Sequence, residues 1–63
     1  MTNLKNQLTK ETLTIVNNVF EIKEITIKKD TVFINSNKEM SFEWARLIVK
    51  ELNLKVNYVN FKL

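Results

Sequence analysis

The chain has neither glycine nor proline, and this double absence limits its fold more than any other feature. Every reversal of the backbone must be made by residues that carry a Cβ and a free N–H. Positions of positive φ, which glycine ordinarily fills, fall to Asn, Asp, Lys or Ser, and nine asparagines stand ready for them. The same absence excludes phosphate-cradling loops of the Walker or dinucleotide type, whose backbone must approach its ligand unobstructed. Cysteine and histidine are missing as well. Disulfides are thereby excluded, and so are the two usual ligand types for zinc.

With 63 residues, a single compact domain over 1–63 is expected. A chain of this size buries only about 60% of the surface its unfolded form exposes, so stability is marginal. Tight packing or self-association must make up the deficit. An apolar fraction of 44% supports a packed core over disorder. No stretch approaches the roughly 18 apolar residues of a membrane span, and no signal-peptide hydrophobic region follows Met1. A soluble protein of the cytoplasm is the expectation. The bias toward Asn, Lys and Ile fits an AT-rich coding sequence, as in a low-GC bacterium, its phages or other mobile elements.

Periodicity divides the chain into five elements. Leu4, Leu8, Thr12, Ile15 and Val19 recur at three- and four-residue steps, which predicts a helix over Asn3 to about Asn17, stopped by Asn17-Asn18. From Val19 the period shortens to two. Phe20 and Ile22 have one parity, Ile25 and Ile27 the other, and a bulge near Lys23-Glu24 reconciles them. A two-residue turn at Lys29-Asp30 then pairs Ile27 with Val32 and Ile25 with Ile34 on one face, and Thr26 with Phe33 on the other. Ser36-Asn37-Lys38-Glu39 fits a capping box, with Ser41 a second N-cap candidate. Met40, Trp44, Leu47, Ile48 and Leu52 form the stripe of a second helix, beside Ala45, ending at Asn53. Leu54 to Lys62 alternates as a last strand, bulged near Tyr58. The fold class is α+β in the order α-β-β-α-β, with two helices packed on one face of a three-stranded sheet. Pattern leaves open whether the third strand lies beside the first or the second.

Catalytic chemistry has little to work with. Glu39 and Glu43, four apart on the expected helix, suit its N-terminal dipole better than a cation or an acid/base pair. Glu21 and Glu24 flank the bulge and are read as solvated. Ser36 and Ser41 have no base nearby and are read as caps. No catalytic, cofactor or metal residue is assigned, and an enzyme is not expected.

What remains is surface. Phe33 and Thr26 are expected on the uncovered sheet face, joined by Phe61 and by Val59 or Leu63, while Phe42 and Val49 lie off the main stripe of the second helix. A contiguous apolar patch on a small protein marks an interface. The first strand, read as Val19 to Lys28, is longer than its partner Thr31 to Asn35, and its first half invites pairing with the C-terminal strand or with a second copy. The expectation is therefore a self-associating interaction module that contacts an unidentified protein. It would modulate a host factor if a phage or mobile element encodes it. Phe33, Phe42, Val49 and Phe61 would make the apolar contact, and Lys28, Lys29 and Arg46 would steer by charge. The alternative is a small dimeric nucleic-acid-binding regulator. Net charge is only +3, however, and Glu21, Glu24 and Asp30 interrupt the basic stretch.

Overall fold

The computed structural model describes residues 3–62. A 3-10 turn over Leu4–Gln7 leads into α1 (Lys10–Phe20), β1 (Ile22–Lys28), β2 (Thr31–Ser36), α2 (Phe42–Glu51) and β3 (Tyr58–Lys62), so the chain is an α+β domain in the expected order α-β-β-α-β. Among the described residues, no helix is long and apolar enough to cross a membrane.

α1 departs from the prediction at both ends. Thr9 is extended and its hydroxyl accepts from the Thr12 N–H at 3.3 Å, a favourable N-cap that breaks the run of helical spacing. The break also lets Leu8 turn inward, where it is 6% exposed. Starting the helix there shifts its inner face to Leu13, Val16 and Phe20, leaving Ile15 and Val19 43% and 50% exposed. The aromatic residue decides the orientation. Phe20, expected in the strand, closes the helix and meets Trp44 edge-on, ring centroids 6.0 Å apart. Because Phe20 belongs to the helix, the stop moves from Asn17-Asn18 to Glu21, which adopts φ 54°, ψ 57° and donates its N–H to the Asn17 carbonyl. A left-handed conformation costs a residue with a Cβ about 1–2 kcal/mol. Two bonds across the corner offset it, from Asn37 N–H to the Glu21 carbonyl and from Lys38 N–H to the Phe20 carbonyl.

The hairpin follows its predicted register residue for residue. Ile25 pairs with Ile34, Thr26 with Phe33 and Ile27 with Val32, and the register shifts between Ile22 and Glu24. Lys23 is thus the extra residue, which lets Ile22 and Ile25 both be buried. Lys28 pairs with Thr31 around the turn, and Lys29 takes the positive φ, 57°.

β3 runs parallel to β2, giving the strand order β1-β2-β3. It is shorter than expected, since only Tyr58–Lys62 pair. Its register sets Val59 beside Val32 and Phe61 beside Ile34. Adjacent residues in register share a face, so Phe61 joins the covered side of the sheet and not the open one where it was expected. Of the two residues expected with it, Val59 is likewise on the covered side, and Leu63 lies outside the described residues.

α2 is capped by Ser41, whose hydroxyl accepts from the Trp44 N–H. The Ser36 capping box does not form. Ser36 is buried at the end of β2 and donates its hydroxyl to the Lys38 carbonyl at 2.7 Å, so Glu39 precedes the helix and cannot pair with Glu43 along it. The expected stop at Asn53 holds. Its φ is 55°, its N–H reaches the Lys50 carbonyl, and the Leu54 N–H reaches that of Val49, the two bonds of a Schellman end. Ala45 and Ile48 are fully buried, whereas Leu47, expected in the stripe, is 45% exposed.

One carboxylate joins the two helices. Glu51 lies in the last turn of α2, where a negative charge opposes the dipole of its own helix. It reaches instead to the start of α1, accepting from the Thr9 N–H and the Thr12 hydroxyl, each at 2.6 Å. The Thr12 hydroxyl and then the Thr9 amide hold its carboxyl below the ordinary value of 4.5.

Two stability measurements test these features. Lys29→Gly removes the Cβ from a left-handed position and should stabilise the chain by about 1 kcal/mol, a rise in Tm of about 4–8 °C. The Glu51 carboxyl has a folded-state pKa below its unfolded one, so its stabilisation is present above the unfolded value and is lost as pH falls through the folded one. Thermal melts from pH 7 to pH 2 should show Glu51→Gln less stable than the parent at neutral pH, with the gap closing in acid.

Candidate functional site

The parallel β2–β3 pairing places β3 at one edge of the sheet, and the crossover through α2 lays that helix beside it. Between them runs a groove lined by Phe42, Arg46, Val49 and Lys50 from α2 and by 56–59 from the chain entering β3. The helical positions recur at steps of four, three and one, so one side of α2 faces the groove. Val49, Val56 and Val59 are half-buried against the core and form its floor. Phe42 and Tyr58 stand 60% and 63% exposed. Arg46 and Lys50 supply positive charge, and no acidic side chain lines the groove. At its end, the Asp30 carbonyl accepts from the Asn57 and Tyr58 N–H groups at 2.8 and 3.2 Å. The hairpin tip with Lys29 is thus fixed beside the start of β3.

The seven residues singled out from the sequence fall in different places. Phe42, Val49 and Arg46 share the groove. Phe33 and Lys28 lie on the opposite, open face of the sheet, in a shallow depression with Glu24, Thr26, Asn35 and Lys62. Lys62 extends across the Phe33 ring, its Nζ 5.4 Å from the centroid. Lys29 is at the turn, and Phe61 is on the covered face. Sequence reasoning missed Tyr58, Val56, Val59 and Lys50 as groove residues. The alternation of Leu54 to Tyr58 had suggested one regular strand face, whereas 54–57 is an irregular approach to β3. A tyrosine between Asn57 and Val59 in so small a chain was the available signal.

The two sheet edges differ. The first half of the outer edge of β1, Ile22 to Ile25, is covered by the N-terminal segment. The Asn3 carboxamide accepts from the Ile25 N–H at 3.0 Å and donates to the Lys23 carbonyl at 3.3 Å, and the Lys5 ammonium donates to the Ile22 carbonyl at 3.1 Å. β1 spans seven residues against six in β2 and is paired from Ile22 onward. The unpaired first half that had argued for a second copy therefore does not exist. Along the outer edge of β3, no hydrogen bond is made among the described residues.

Titratable groups do not assemble elsewhere. Among the described residues, no three of Asp, Glu, His and Cys come together as a metal-binding group. Glu21 forms an exposed ion pair with Lys38 at 3.4 Å, an interaction of small energetic weight. No protein-family model, curated protein or solved structure matches the chain.

Proposed function

We propose that the chain is a non-enzymatic protein-binding module whose contact surface is the groove between α2 and β3. The observation that carries this reading is the pair Phe42 and Tyr58, both more than half exposed beside a valine floor. Single exposed hydrophobes are ordinary, but two exposed aromatic residues lining one concave strip are the composition of an interface centre. Arg46 and Lys50 at the same strip would orient a partner and speed its approach. A small AT-rich chain of this kind suits a phage or plasmid product that modulates a host protein.

The second reading, a nucleic-acid regulator, draws on the net charge and on Phe33 with Lys28 and Lys62 on the open sheet face. It is the weaker one. Lys62 already occupies the face of Phe33, so a base would have to displace it to stack. Glu24 shares the same depression and would repel a phosphate.

Panning a phage-displayed random peptide library against the biotinylated chain tests the first reading. Enriched peptides should lose about tenfold or more in affinity for the Phe42→Ser/Tyr58→Ser double variant, with its melting curve unchanged because both side chains are exposed. Labelled random DNA and RNA, followed by fluorescence anisotropy, test the second. Binding that weakens steeply between about 50 and 200 mM salt, undiminished in the double variant, would contradict the protein-binding reading.

A further inference from the structure

We infer that the groove takes an extended, acidic segment of another protein, which adds to the free edge of β3 as a fourth strand. This deepens, and rests on, the reading of the groove as a protein contact.

Three observations converge on that occupant. The first is the edge itself. The first half of β1 has outer groups engaged by Asn3 and Lys5, at Ile22, Lys23 and Ile25, whereas the groups of β3 directed away from β2 have no partner among the described residues. Such an edge requires alternating donors and acceptors at strand spacing, which a polypeptide supplies and a phosphate-dominated nucleic-acid backbone does not. The second is the position of the apolar floor. Val49, Val56 and Val59 line the groove beside this edge, together with Phe42 and Tyr58, so alternate side chains of an added strand would enter the groove while the others face solvent. The third is charge. Arg46 and Lys50 line the groove with no carboxylate among its residues. A carboxylate-bearing segment fits that field. A second copy does not, because it would bring Arg46 and Lys50 of both chains to one seam with no acid on either β3 to oppose them.

The test uses the 15N,13C-labelled chain titrated with three synthetic peptides of equal length. One alternates Glu with Val and Tyr, one permutes the same residues to helical spacing, and one replaces each Glu by Lys. The alternating acidic peptide should shift the amides of Tyr58–Lys62, protect those directed away from β2, and bind at least tenfold more tightly than the lysine peptide. Methylating its backbone nitrogens along one edge should abolish binding, as should Arg46→Glu/Lys50→Glu in the protein. Several results would overturn strand addition while leaving the groove as a protein contact. They are preference for the helical isomer, or Val49 and Val59 methyl shifts with unmoved β3 amides. Concentration-dependent shifts of β3 without peptide would make the occupant a second copy, and tighter perturbation of β3 by a single-stranded RNA would make it a nucleic acid. Silence toward all three peptides overturns strand addition, and failure of library panning as well removes the groove reading with it.

Discussion

β2 is the strand on which the rest of the structure depends. It pairs antiparallel with β1 on one side and parallel with β3 on the other. Its inward residues Val32 and Ile34 are wholly buried against Ile25, Val16 and Ile48. Each such side chain contributes about 1.5–3 kcal/mol on burial, a large share of the stability open to a chain of this length. An antiparallel neighbour can be reached by a two-residue turn, but a parallel one requires a crossover. α2 is that crossover. It closes the core over β2 and also brings its Phe42–Lys50 side next to β3, so the fold and the groove have one origin.

The two edges then follow from where the chain goes. The segment ahead of α1 is free to lie along β1, and Asn3 acts there as a short surrogate strand, its carboxamide offering one acceptor and one donor at backbone spacing. Nothing among the described residues performs that service for β3. Edges left open are a hazard that small proteins usually cover or charge. Here the open edge is flanked by exposed aromatic rings and basic side chains, which is the character of a docking edge more than of a guarded one.

How far the sequence could be read depended on the range of the interaction concerned. The hairpin was legible because a two-residue turn fixes its own register, and an extra residue near Lys23-Glu24 is what lets Ile22 and Ile25 share the buried face. The second helix and its Asn53 end were legible for the same reason, since stripe and cap are local. α1 was misjudged at both ends. Leu4 to Val19 has good helical spacing throughout, and the choice of Leu13, Val16 and Phe20 as the buried face depends on Trp44, which is 24 positions further on. The parallel register that takes Phe61 to the core side, and the reach of Glu51 to Thr9 and Thr12, are likewise long-range. The groove was half legible. Phe42, Val49 and Arg46 could be placed off the main stripe of one helix, but Tyr58 and Val59 join them only once β3 lies beside β2.

The contrast between the two edges is the centre of this account, and amide hydrogen exchange resolved by residue measures it directly. The Ile25 N–H points away from β2 toward Asn3, so it should exchange slowly, and Asn3→Ala should accelerate it. The β3 amides directed away from β2 should exchange fast in both proteins. An Ile25 amide as fast as those of β3, or one indifferent to the loss of the Asn3 carboxamide, would contradict the claim that β1 is the covered edge and β3 the open one.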